Sequence, residues 1–112
     1  MEESTVGRLA NIMKSISHPI RLKILCLLFE GGQTVGQIHE QLSTSYANVS
    51  QHLQRLQHQG LVITDKQANF VYYSIASANI REMISLLRRL YCQPEAGEES
   101  KPQRLSQEFN KK

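Results

Sequence analysis

From the N-terminal end, Val6, Leu9, Ile12, Met13 and Ile16 recur at helical spacing, which predicts an amphipathic first helix ending before His18-Pro19. Pro19 suits the first turn of a second helix. There apolar side chains at 20, 22, 24, 25, 27, 28 and 29 cover nearly the whole circumference, leaving a narrow polar gap around Lys23 and Glu30. Such a helix belongs at the centre of a core. Gly31-Gly32 stop it, and Thr34 with Gln37 three residues on forms a capping-box pattern for a short third helix with Val35, Ile38 and Leu42 inward. After a Ser43-Thr44 turn, Ser45 can cap a fourth helix whose inner stripe is Val49, Leu53 and Leu56, ended by Gly60 in a left-handed cap. The period then becomes two. Leu61 to Thr64 and Phe70 to Ile75 are rich in β-branched and aromatic residues and flank a polar stretch, 65–69, which predicts a β-hairpin. A last helix begins near Asn79, after Ser77, with Ile80, Met83, Ile84, Leu87, Leu90 and Tyr91 along one stripe. The expected fold is mostly α with a β-hairpin wing, in the order α-α-α-α-β-β-α.

A chain of 112 residues holds one domain, expected over 1–93, with a polar, disordered tail over 94–112. Its longest apolar run, Ile24 to Phe29, is far below the roughly 20 residues that span a bilayer, and Met1-Glu2-Glu3-Ser4 is unlike a secretory signal, so a cytoplasmic location is expected. The net charge is +3, and acids and bases balance after Gln93, so the excess sits in the body. A modestly basic body permits a nucleic-acid partner without demanding one. No CxxC and no Cys/His arrangement suggests a zinc site or a thiol enzyme, so neither catalysis, nor a metal, nor a cofactor is expected.

Two short helices joined by a tight turn and followed by a hairpin constitute a winged helix-turn-helix, which presents one helix to the major groove of duplex DNA. On the fourth helix Asn48, Gln51 and Arg55 share one polar face opposite the apolar stripe. Asn and Gln can pair with adenine, and Arg with guanine. Ser45, Tyr46 and Ser50 offer hydroxyls to phosphate oxygens near the start of that helix, while Lys66, Gln67 and Asn69 at the hairpin tip can reach an adjacent minor groove or backbone. His52 is expected to be structural or to contact phosphate, since no second ligand stands one turn away. His18, His39 and His58 carry no assigned role.

The stretches HPIRLKILCLLFEGG, SYANVSQHLQRLQHQGLV and FVYYSI resemble the ArsR/SmtB family of winged-helix repressors over roughly residues 5 to 93. The resemblance implies a homodimer, joined through the first and last helices, that binds an inverted-repeat operator and is released by an inducer. Some members sense metals through cysteine pairs on the third helix or Asp and His along the last; TVGQIHEQL and NIREMISLLRRLYC carry neither set, which disfavours a metal-responsive reading. The cysteines in KILCLLF and RRLYC instead resemble the HlyU/BigR-type branch, which responds to reactive sulfur species or oxidants. That resemblance implies a disulfide or polysulfide link between Cys26 and Cys92 that changes DNA affinity. Read from the residues alone, Cys26 sits at the border of its helix's apolar arc and Cys92 well off its stripe, so neither looks like a pure core filler, yet a small buried hydrophobe remains the commoner use of a cysteine. The alternatives are a metal-responsive repressor of the same family and a winged-helix module that binds a protein instead of DNA.

Overall fold

A computed structural model describes residues 2–91 of the chain. Five helices and one hairpin follow in the order α1 (Glu3–Ile16), α2 (Pro19–Leu28), α3 (Val35–His39), α4 (Tyr46–His58), β1 (Val62–Gln67), β2 (Phe70–Ile75) and α5 (Ala78–Tyr91). The α-α-α-α-β-β-α order read from the sequence is therefore the order observed. Cys92 and the tail over 94–112 lie outside the described residues.

Helix α2 is the hub. Its Ile24, Leu25 and Leu28 are buried together with Ile38 of α3, Val49, Leu53 and Leu56 of α4, Leu61 and Val62 at the start of the hairpin, and Ile84 of α5. Each such aliphatic side chain contributes about 1.5–3 kcal/mol by leaving water, so this one cluster dominates the stability of a small body. Lys23 and Glu30 remain exposed along the polar gap of α2.

Helix ends follow the residues that mark them. Pro19 opens α2, and the Nδ1 of His18 accepts the Ile20 backbone N–H at 3.1 Å, giving His18 the role of cap. Thr34 and Gln37 close the capping box reciprocally, at 2.9 and 3.1 Å. Helix α3 is shorter than its apolar stripe suggests: it stops at His39, and Leu42 enters the core from a following turn closed by the Leu42 N–H to the His39 carbonyl. Gly60, at φ +80°, ends α4 with the Gly60 N–H on the Gln57 carbonyl and the Leu61 N–H on the Leu56 carbonyl. This is the Schellman arrangement, and the buried Leu56 and Leu61 supply the apolar pair that accompanies it.

The hairpin is longer than its apolar runs. Asp65, Lys66 and Gln67 pair with Tyr72, Val71 and Phe70, so β1 continues through residues expected in a polar tip, and the loop shrinks to Ala68-Asn69. Polar side chains do not interrupt a ladder made of backbone groups, and a ribbon exposed on both faces sets no alternation to detect. A third extended segment was not legible: Gln33 exchanges two backbone hydrogen bonds with Tyr73, at 3.0 and 2.8 Å, and thereby ties the base of the wing to the α2–α3 connection. A Cβ added at the preceding Gly32 would meet the Ser74 Oγ at 3.3 Å, so glycine admits this close approach.

Helix α5 returns to α2. The guanidinium carbons of Arg81 and Arg88 lie 4.4 and 4.6 Å from the centre of the Phe29 ring; Arg81 also donates to the Phe29 carbonyl, and Arg88 to Glu30. Ser77 caps α5, and Ile80 and Ile84 of its apolar stripe are buried, whereas Leu90 and Tyr91 further along it are more than half exposed. On α1, Val6, Leu9 and Met13 are likewise exposed, and of its apolar side chains only Ile16 at its end is buried. Among the described residues no element covers those faces.

Candidate nucleic-acid interface

The apolar stripe of α4 fixes the rotation of the helix, because Val49, Leu53 and Leu56 are all fully buried and the opposite face must then lie outward. Gln51, Gln54 and Arg55 are exposed there. Two of the three side chains predicted to read bases, Gln51 and Arg55, are thus displayed with no hydrogen bond to another described residue. Asn48 differs. It is half-buried, and its Nδ2 donates to the Thr44 Oγ1 at 2.9 Å, so it braces the turn before α4 and keeps its carbonyl oxygen available.

Around the start of α4, the Ser45 Oγ accepts the Asn48 N–H at 3.0 Å, and its own hydroxyl proton remains free to be donated. Tyr46 is exposed, with its ring edge-on to His39 at 5.7 Å. Ser50 is half-buried. At the far end of the hairpin Lys66 and Asn69 are exposed, whereas Gln67 donates to the Asp65 carboxylate at 2.9 Å. The wing therefore presents one cation, Lys66, and its neighbour Asp65 partly offsets it.

The histidines were the side chains least legible in the sequence. His52 is half-buried against the ring of His18, with centroids 4.5 Å apart and planes inclined by 47°, and the Nη1 of Arg21 lies 3.4 Å from its Nδ1. Arg21 is itself anchored by its Nε, which donates to the Ser15 carbonyl at 2.6 Å. Burial first, then the charges of His18, Arg21 and Arg55, push the His52 imidazole below its ordinary value. Arg21 is lowered in the same sense by burial and by Arg55. Together with Gln51, Gln54, His58 and Gln59, these side chains line an open groove of about 780 Å³ between the start of α2 and the outer face of α4. No periodicity announces such a groove, since its walls come from residues more than thirty positions apart.

Cys26 lies half-buried on α2, packed against the core cluster. One turn further on, Glu30 holds Arg88, which stands four positions before Cys92 in the sequence. Among the described residues no three His, Cys, Asp or Glu side chains are grouped so as to hold a metal ion, and no helix is long and apolar enough to cross a membrane.

Comparison with known proteins matches residues 18–64 to the family model described as bacterial regulatory protein, arsR family. The transcriptional activator HlyU of Vibrio cholerae is 38% identical over 91 residues, 81% of this chain and 84% of that protein. The biofilm growth-associated repressor of Xylella fastidiosa is 30% identical over 93 residues, 83% of this chain and 82% of its own. Among solved structures, reduced HlyU from Vibrio cholerae superposes with a TM-score of 0.77 at 38% identity, covering 81% of this chain and 96% of that one. A homodimeric winged helix-turn-helix DNA-binding domain from Mycobacterium bovis gives 0.72 at 25% identity, covering 80% and 86%.

Proposed function

Because this chain belongs to the arsR family of bacterial regulatory proteins, DNA-binding transcriptional regulators and not enzymes, we propose that it is a homodimeric repressor with a Cys26/Cys92 dithiol switch. One observation carries the DNA-binding part: the outward face of α4 displays Gln51 and Arg55 beside an exposed wing, on a helix whose rotation the core dictates. Ser45, Tyr46, Ser50 and His52 on the helix, with Lys66, Gln67 and Asn69 on the wing, supply phosphate and groove contacts; Asn48 contributes through its carbonyl oxygen. The operator is an inverted repeat, which a two-fold symmetric dimer matches. The exposed apolar side chains of α1 and α5 support the dimer, as does the homodimeric Mycobacterium bovis relative.

Reactive sulfur species or oxidants act as the inducer. Oxidation to a disulfide releases two protons and passes two electrons to the oxidant. With a persulfide donor, one thiolate takes up the sulfane sulfur and the donor leaves as its thiolate; the second thiolate then displaces that sulfur as hydrosulfide to give a disulfide, or, once persulfidated by a second donor molecule, displaces hydrosulfide to leave a trisulfide link. The position of Cys26 on α2, packed against the core cluster that α4 shares, supports this reading, because a bond drawn from α2 must strain the packing that orients α4.

Intact mass of the reduced protein is measured before and after a persulfide donor, peroxide or a disulfide reagent, followed by binding of each product to operator DNA. A loss of two hydrogens or a gain of bridging sulfur, with weaker DNA binding, is expected. Cys26→Ser and Cys92→Ser should each keep DNA binding by the reduced protein and lose the response; a response retained in both single variants refutes the switch.

A further inference from the structure

The groove between α2 and α4 collects one kind of charge. His18 and Arg21 line it from α2 and its cap, and His52, Arg55 and His58 from α4, with glutamines between them and no carboxylate. Within it His18, Arg21 and Arg55 all oppose a charge on His52, Arg55 opposes that on Arg21, and no lining carboxylate offsets them. Their donors are also incompletely used: Arg21 spends Nε on Ser15 and Nη1 on His52, and the His18 Nδ1 holds the Ile20 N–H, which leaves the other guanidinium and imidazole donors. An arrangement without a carboxylate, in which guanidinium and imidazole donors remain unused, fits an anion with several oxygens.

Continuity identifies the occupant. Gln51 and Arg55 belong both to this groove and to the outward face of α4, so whatever enters the groove lies against the wall of the site that the helix reads. In duplex DNA the walls of the major groove are phosphodiesters. We propose that His18, Arg21, His52, Arg55 and His58 form a phosphodiester-binding groove that grips the duplex backbone alongside α4 and tightens as its imidazoles are protonated. The proposal rests on the reading of α4 as the DNA-facing helix. Protonation of groove imidazoles adds cations next to phosphates, so acidification adds counterion release to every binding event, whatever the base sequence.

The test measures binding of the full chain to a non-cognate duplex of about twenty base pairs by fluorescence anisotropy, across a salt series at pH 7.5 and at pH 5.5. The slope of log K against log salt should steepen by about one or more at the lower pH. The steepening should vanish in a His52→Gln/His58→Gln variant, whose fold is checked by circular dichroism, and persist in His39→Gln, which removes an imidazole outside the groove. His18→Asn keeps a capping oxygen and should lose part of the effect. A pH-independent slope in the wild type, or steepening unchanged in His52→Gln/His58→Gln, overturns the assignment. Inorganic tripolyphosphate provides a second arm: saturable binding that these substitutions abolish, with duplex slopes unmoved, replaces the DNA backbone by a small soluble anion. If the wild type binds no duplex, the reading of α4 falls with it; if it binds with a pH-independent slope, only the groove assignment falls.

Discussion

Single residues in this chain take roles that their neighbours assign. His18 is a helix cap because the first turn of α2 has N–H groups without an intrahelical partner and its Nδ1 accepts that of Ile20, and His52 is lowered in pKa by burial and by the His18 and Arg21 that α2 brings against it. For stability the sign follows from proton binding. The folded His52 titrates below its ordinary value of 6.5, so between the folded value and 6.5 the unfolded chain binds more protons, and stability falls as pH drops through that window. Without DNA, the urea midpoint is expected to fall from pH 7.5 to pH 5.5, and to fall less in His52→Gln; the imidazole is only half-buried, which keeps the difference small. An equal fall in both proteins assigns the acid sensitivity elsewhere. Gly60 has a larger effect. At φ +80° a Cβ costs about 1–2 kcal/mol, so Gly60→Ala should lower the melting temperature by several degrees, about 4–8 °C per kcal/mol for a body of this size. Of these two residues, Gly60 was visible in the sequence as a helix stop, whereas the His18–His52 contact spans thirty-four positions and no local rule contains it.

At the scale of elements, the proposed function gives base edges to α4 and backbone to the wing. Gln51→Ala removes a bidentate group from the outward face, so it should flatten discrimination between operator and mismatched sites, by about 1–3 kcal/mol at the base it contacts. Lys66→Ala removes an exposed cation from the hairpin and should weaken binding to all sequences alike while reducing the salt slope by about one. Competition binding against operator variants at two salt concentrations separates the two; identical profiles would show that α4 does not read bases. Element identity and order were legible because periodicity and stop signals agreed throughout. The extension of β1 through Gln67 was not, since its register rests on backbone pairing that side-chain hydropathy does not encode.

For the whole molecule, the question is what covers α1 and α5. Val6, Leu9 and Met13 on one helix and Leu86, Leu90 and Tyr91 on the other expose apolar surface that no other described element covers. Met13→Glu with Leu90→Glu should convert a dimer into a monomer in sedimentation equilibrium and reduce operator affinity at least tenfold, since each half then binds one half-site. A wild-type chain that sediments as a monomer at micromolar concentration would remove the dimer from this account. The sequence alone determined the helices, the hairpin, the capping signals, the outward face of α4 and the resemblance to a family, because each is written in local spacing or in motifs. Tertiary structure alone decided that Asn48 braces a turn, that Gln33 bridges to the wing, that Phe29 lies between two arginines and that three histidines and two arginines share one groove. Those outcomes depend on which distant segments the core brings together, and burial of Ile24, Leu25 and Leu28 of α2 against α4 is the physical event that places His18 and Arg21 beside His52.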